Sequence, residues 1–440
     1  MAEEKPARAV LSMGAPLVMG MFIMVLYNLV DTFFIGLMHD DYQLAAVNLG
    51  YPVMMVMIAL GNMVGTGASS LIARSLGAED REQAERTLLT GYEMAFAVSV
   101  IFMILGLAAL HPLVNLLGAR ENTAALTAQY VQVLLIGNFF IMGNYTFGQL
   151  LRSEGSVRYS VAGMVAGTIA NILLDPIFIF LLGLGVRGAA IATVLGNLLG
   201  CLVFILYYRR GKTLLSFHRI YLRPRTAIVK EIFWVGIPAS LETLLTASTF
   251  VVLNNLAVGY GEVTVAAMGI SQKLMSLGGY IYQGFAAGLQ PLMGYNYGAR
   301  NYPRMLRLLR AAVLVTGACE LIVMAVFGLF APQLIHIFSQ TDQVVRIGAR
   351  VLRANMCILP FVGAVSCSRA SFQSMGKPMY ALLITCVRQL VLYVPSLLLM
   401  NRCFGFTGLI WTQPMTECIM MVFSLTLLSR YLRKLSRETF

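Results

Sequence analysis

The chain has 440 residues, of which 58% are hydrophobic and only 12% charged, with 32 Lys and Arg against 20 Asp and Glu for a net charge of +12. Soluble domains carry about 25% charged residues, so the composition excludes a soluble enzyme and points to a polytopic membrane protein with a mean hydropathy of +0.76. The basic balance is then no sign of nucleic-acid binding, because Lys and Arg crowd into inter-helix loops, where they set topology.

The N-terminal stretch to Leu11 is short and polar. The apolar segment after it is too long for a signal-peptide core and lacks a small-residue cleavage site, so it is expected to remain as the first span. Hydrophobic periodicity and length predict twelve spans, near residues 13–38, 44–73, 87–110, 124–150, 159–183, 188–209, 231–257, 263–293, 306–330, 344–372, 379–400 and 407–430. The longest loop divides them. Residues 1–210 form an expected N-lobe of spans 1–6, 211–230 a cytoplasmic linker, and 231–440 a C-lobe of spans 7–12. With both termini cytoplasmic, the inner segments hold most of the cations, Arg74, Arg152, Arg209, Arg300 and Arg369 among them. The outer ones hold only Arg120, Arg187, Arg346, Arg350, Arg353 and Arg402.

The halves resemble each other. Gly65 to Ala78 aligns with Ala286 to Ala299 at an offset of about half the chain. Arg152-Ser-Glu-Gly155 meets Gln373-Ser-Met-Gly376, and with small slippage Pro16 meets Pro238 and Pro176 meets Pro395. A six-span repeat returns the chain to the same side of the membrane, so the lobes are parallel repeats about an axis along the membrane normal.

Charge inside the spans marks candidate chemistry. Asp175 sits within the apolar run 161–182, where a carboxylate at mid-bilayer costs roughly 2.5–3.5 kcal/mol on insertion scales. Asn171 lies one turn earlier on the same face. Pro176 has no N–H, which frees the carbonyl of Ile172. Carboxylate, amide and carbonyl oxygens suit a small cation or a proton, the coupling site of a cation-driven transporter. Asp31, deep in span 1 with Tyr27 and Asn28 on its face, is a second such carboxylate, and Pro16 lets that span kink. The repeat replaces Asp175 by Val394 and Asp31 by the region of Leu253 and Asn254, which confines the site to the N-lobe. Asn144 and Thr193 either complete an oxygen cage or serve as interhelical glue. Glu242 either faces a central substrate cavity or pairs with Lys273 or Arg388, the two cations expected within the membrane. Glu93, Glu320 and Glu417 are expected near span ends or in pairs.

The absences narrow the function further. There is no phosphate loop of the G-x-x-x-x-G-K-[ST] type, so no ATP hydrolysis by this chain. His39, His111, His218 and His336 form no metal or triad pattern, and the seven cysteines form no CxxC. No enzyme and no cofactor are expected beyond a coupling ion.

Several motifs taken together resemble the multidrug and toxic compound extrusion (MATE) transporters, in their prokaryotic branch, over nearly the whole chain. They are Pro16 with Val30-Asp31-Thr32, Ala45-Ala46, Gly65-x-Gly67 with Arg74-x-x-Gly77-Ala78, Arg152-Ser-Glu-Gly155, Asn171-x-x-x-Asp175-Pro176, and Gln290-Pro291-x-x-Gly-Tyr295-Asn296-Tyr-Gly298-Ala299. The resemblance implies an all-α, twelve-span, two-lobed antiporter of the plasma membrane. It implies export of amphiphilic organic cations and drugs in exchange for Na⁺ or H⁺, by a monomer with no nucleic-acid partner. It further implies a cation site of Asp31, Asn144, Asn171, Asp175 and Thr193, with Na⁺ able to bind at Asp31, Asn171 and Asp175, and a bend of span 1 at Pro16. Branches of the family that use carboxylates in spans 7 and 10 differ from this chain, whose span 10 has none. The alternative is a flippase for lipid-linked oligosaccharides of the same superfamily, which wants a basic cavity that Lys273 and Arg388 alone supply poorly.

Overall fold

The computed structural model describes residues 4–36, 40–120, 122–211, 213–215 and 225–438; the side chains of 25–33 and of a few other helical positions also lie outside the described set. The described residues are helical, with no strand among them. The helices are α1 (Pro6–Gly36), α2 (Asp41–Gly77), α3 (Arg81–Ala108), α4 (Leu110–Leu116), α5 (Asn122–Ser153), α6 (Val157–Pro176) and α7 (Gly185–Arg209) in the first half. The second half holds α8 (Thr226–Val258), α9 (Glu262–Gly298), α10 (Tyr302–Leu329), α11 (Ala331–His336), α12 (Asp342–Met356), α13 (Leu359–Ser374), α14 (Pro378–Cys386) and α15 (Val394–Glu438). Two π-helical stretches interrupt them, Ile177–Leu181 after α6 and Val387–Tyr393 between α14 and α15.

These helices account for the twelve spans. Eight helical stretches are long and apolar enough to cross a membrane, nine with the bent pair α12–α13 counted as one. The stretch from Pro378 to Arg437 holds two spans, because Gly405 breaks α15 with φ 57°. The remaining two are α8 and α9. Span 10, expected as one helix over 344–372, is instead bent by 41° between α12 and α13. Pro360 sits in the first turn of α13, where its missing N–H costs nothing but where it cannot continue α12.

The repeat seen in sequence recurs in the backbone. α2 and α9 end at Gly77 and Gly298, and the residues two positions on, Glu79 and Arg300, are the two non-glycine residues with positive φ among those described, at 61° and 53°. In each case two backbone bonds close the turn: Glu79 N to Leu76 O and Asp80 N to Ser75 O in one half, Arg300 N to Tyr297 O and Asn301 N to Asn296 O in the other. Asp80 and Asn301 then cap the following helix, accepting from Gln83 N at 2.9 Å and Arg304 N at 3.2 Å. Gly155 and Gly376, the last residues of the paired four-residue motif, have φ 85° and 68°. Only glycine takes such angles without strain, which explains why both halves keep it there.

The chain divides into two compact units, Met19–Ser240 and Met1–Val18 with Leu241–Phe440. Both boundaries fall inside a helix, two residues past Pro16 in α1 and two residues past Pro238 in α8. In the unit 19–240, Ile228 and Ile232 of α8 are buried with Leu71, Leu88, Leu150 and Phe204, and Arg74 of α2 bonds Glu231 at 2.8 Å. In the other unit, Gly14 of α1 lies so close to Gly288 of α9 that a Cβ on Gly288 would come within 2.8 Å of the Gly14 Cα. The Arg304 guanidinium there donates to the Glu4 carbonyl at 2.6 Å.

Candidate cation site in the first half

α6 and α7 run antiparallel and cross on glycine. Gly163-x-x-x-Gly167 on α6 faces Gly196-x-x-x-Gly200 on α7, and all four glycines are buried. A Cβ at Gly167 would stand 2.7 Å from the Gly196 carbonyl oxygen, and one at Gly200 would stand 3.0 Å from the Gly163 carbonyl oxygen. Small residues at this spacing let two backbones touch, a common mode of packing between membrane helices. That contact brings the polar side chains of the two helices together.

Asn171 follows Gly167 by one turn and packs against Gly196, where an added Cβ would lie 2.9 Å from the Asn171 Cβ. Its amide donates to Asp175 Oδ1 at 3.4 Å, a long bond, and its own amide oxygen has no hydrogen-bond partner among the described residues. Asp175 is wholly buried, at 0% exposure. The antiparallel register sets it opposite the Ala189–Thr193 turn of α7. Thr193 is buried and donates its hydroxyl hydrogen to the Ala189 carbonyl at 3.0 Å, which leaves the oxygen's lone pairs as acceptors. Pro176 closes α6 and the π-helical stretch begins at once, a backbone irregularity of the kind found at functional positions of helices.

Asn144 of α5 is tied to α7. Its amide donates to Asn197 Oδ1 at 2.9 Å, and Asn197 donates to the Thr193 carbonyl at 2.8 Å. Gly200 approaches the Asn144 amide, with an added Cβ 3.0 Å from Nδ2. Asn144 thus joins Thr193 through Asn197, a residue that the sequence reading passed over. The signal for it was present, since Asn197 stands directly after Gly196 and one turn past Thr193. Asp31, Tyr27 and Asn28 lie in α1, but their side chains are outside the described residues. Pro16 lies within α1, which continues through it as helix. No group of three or more His, Cys, Asp or Glu able to hold a metal occurs among the described residues.

The charges of the second half sit differently from expectation. Glu242 of α8 pairs with Arg369 of α13, counted at the inner end of span 10, rather than with Lys273 or Arg388, and the Arg369 side chain is about one-fifth exposed. Arg388 pairs with Glu417 at 2.6 Å. Glu417 is therefore paired as expected. Glu320 is not: it lies well inside α10, wholly buried, with no hydrogen-bond partner for either oxygen among the described residues.

At the turn between α5 and α6, Glu154 of the Arg152-Ser-Glu-Gly155 motif is buried. It accepts from the Thr213 hydroxyl at 2.6 Å, the Tyr208 hydroxyl at 3.0 Å and Leu214 N at 3.3 Å, tying the loop after α7 to the end of α5. Burial lifts its carboxyl above the usual carboxylate range, against those three hydrogen bonds, which pull it down.

Comparison with known proteins agrees with this architecture. The family model MatE matches twice, over residues 16–177 and 238–398, the two halves of the repeat. The multidrug export protein MepA of Staphylococcus aureus is 30% identical over 418 residues, covering 95% of this chain and 92% of that protein. A solved structure of MATE in the straight conformation superposes with a TM-score of 0.94 at 29% identity, covering 99% of this chain and 98% of that one. MATE in the bent conformation superposes with a TM-score of 0.92 at 30% identity, covering 99% and 97%. Two matched halves, twelve helical spans in two lobes and near-complete coverage of solved relatives lead to one conclusion: this chain belongs to the MatE family of multidrug efflux transporters, multi-pass membrane proteins.

Proposed function

We propose that the protein is a secondary active antiporter that exports organic cations and drugs in exchange for Na⁺ or H⁺. The coupling ion is taken by Asp175 and Asn171, with Asp31, Asn144 and Thr193 completing the site. One observation carries this reading: a carboxylate wholly shielded from solvent inside an apolar helix, beside an amide oxygen that no described protein group satisfies. Such groups in a membrane are functional by default, because a purely structural position would not retain them at that cost.

The oxygens fit the task. Asp175 offers the anionic group, Asn171 an amide oxygen and Thr193 a hydroxyl oxygen whose hydrogen is already engaged. These are hard ligands suited to Na⁺, and the same carboxylate takes a proton when desolvation favours its neutral form. Loading the site with either ion neutralises Asp175. That removes a buried charge and favours the state in which α1 bends at Pro16, so that substrate leaves on the outer side while the ion moves inward. Relatives solved in a straight and a bent conformation support two such states. MepA is a multidrug export protein, which supports drug-like substrates here. Tyr27, Asn28 and Glu242 line the substrate path in this reading, with the charge of Glu242 moderated by Arg369. The protein works as a monomer in the plasma membrane with both termini cytoplasmic, and it needs no cofactor. The flippase alternative has no comparable support, since Arg388 is neutralised by Glu417 and, of the two cations it called on, only Lys273 remains.

The test is efflux of a fluorescent cationic dye in proteoliposomes under a Na⁺ gradient alone and then a proton gradient alone. Wild-type protein is expected to respond to at least one gradient, and Asp175→Asn to lose that response. Undiminished, gradient-dependent efflux by Asp175→Asn refutes the assignment.

A further inference from the structure

Glu320 is the one described carboxylate of the second half that combines complete burial with the absence of any partner. It projects from α10 at 0% exposure, nine residues before the helix ends, and neither oxygen meets a hydrogen-bond donor among the described residues. Its place is shaped for it. Gly363 of α13 faces the carboxyl, and a Cβ there would overlap Glu320 Oε2. Thr316, one turn earlier, walls the same notch, its methyl 2.9 Å from that Cβ position.

Two arginines of the same compact unit are already matched. Arg388 holds Glu417, with Nε at 2.7 Å and Nη2 at 2.6 Å from one carboxylate oxygen. Arg369, on the same helix as Gly363, holds Glu242. Tyr282 of α9 lies within electrostatic reach of Glu320, Arg388 and Glu417 at once. Cys319 on α10 and Cys367 on α13 also lie within electrostatic reach of the carboxyl. The remaining charged neighbours point elsewhere: Arg353 of α12 donates to the Gly328 carbonyl, and His336 of α11 is exposed. Lys273 of α9 is exposed, and among the described residues no cation bonds Glu320. A charge buried without a partner costs far more than a neutral acid. A lone carboxyl also supplies too few oxygens for a metal ion, whose ordinary coordination needs several.

We infer that Glu320 is a second proton-binding site, in the second half, loaded with a proton in this conformation and discharged when Arg369 is released by the part-exposed Glu242. The step is a simple proton transfer. The carboxyl O–H bond breaks, the proton passes to water, the carboxylate is left balanced by Arg369, and Glu242, whose side chain is part-exposed, is left hydrated. The existence of the site is independent of the antiport reading; only its use in turnover rests on that reading.

The test uses purified full-length protein in detergent. Infrared difference spectra taken on titration from acid to alkaline pH are expected to show the carbonyl band of a protonated carboxyl in wild type and in Asp175→Asn, and to lose it in Glu320→Gln. The same band in Glu320→Gln overturns the proposal. Proton release on adding tetraphenylphosphonium, read with a pH indicator in weak buffer, is expected to fall in Glu320→Gln, fall separately in Asp175→Asn, and fall further in the double variant. Release unchanged in Glu320→Gln overturns a role in turnover. Release lost in Glu320→Gln but intact in Asp175→Asn instead overturns the coupling role of Asp175. If Glu320→Gln does not yield a monodisperse protein, Gly363→Ala keeps the carboxyl and crowds it. A band unmoved in frequency and in pH midpoint by Gly363→Ala then overturns the proposal.

Discussion

Single residues in this protein are governed by what lies opposite them. Asp175 was legible in the sequence because a charge in an apolar run is a local anomaly. Asn171 and Pro176 were legible because they are its neighbours in sequence. The partner of Glu242 was not, since Arg369 is distant in sequence and nothing in its own span says which helix it faces. Glu154 shows a residue whose role comes from a loop outside every span. Its carboxyl is raised by burial, so its contribution to stability is fullest below the ordinary carboxylate range and is lost as pH rises through its raised folded value. Glu154→Gln keeps an acceptor for Thr213 or Tyr208 and carries no charge. The thermal unfolding midpoint of wild type is therefore expected to fall between mildly acidic and neutral pH by more than that of Glu154→Gln. Parallel curves for the two proteins would show that Glu154 does not titrate in this range.

At the scale of elements, the helices and their order were legible almost throughout, because length and apolarity fix spans directly. The bend between α12 and α13 was not read, although Pro360 announced it. The crossing of α6 on α7 was also present in the sequence as two Gly-x-x-x-Gly pairs and went unread, because each pair matters only when the helices are known to be neighbours. This crossing sets the distance of Asn171 and Asp175 from Thr193 and Asn197. Gly196→Ala would put a Cβ 2.7 Å from the Gly167 carbonyl oxygen. Overpacking of this kind costs about 1–3 kcal/mol. The expected outcome is a lower unfolding midpoint together with a weaker dependence of dye efflux on the ion gradient. An ion dependence equal to wild type would mean that the site tolerates a wider α6–α7 spacing.

At the scale of the whole molecule, the repeat is both a symmetry and an exchange. The symmetry was readable as aligned motifs, and the backbone reproduces it down to the paired positive-φ residues Glu79 and Arg300. The exchange was hidden: the start of α1 groups with the second half, and the start of α8 with the first. No sequence pattern reports which compact unit an apolar helix joins, because both ends of such a helix are equally apolar. Residues 1–210 and 226–440 expressed alone are each expected to elute as aggregates. Co-expressed, they are expected to recover a monodisperse complex on size-exclusion chromatography. A monodisperse 1–210 fragment by itself would show that its core closes without Ile228 and Ile232.

That exchange gives the protein an order of assembly during synthesis. The unit 19–240 has all its parts once residue 240 has left the ribosome. The segment up to Val18 is made first, yet the helices it packs with, from α9 onward, emerge last. At about 5–20 residues per second, the first turns of the chain wait roughly ten seconds to a minute in the bilayer before their partners exist. The segment up to Val18 is thus made long before its partners and is among the last to be buried.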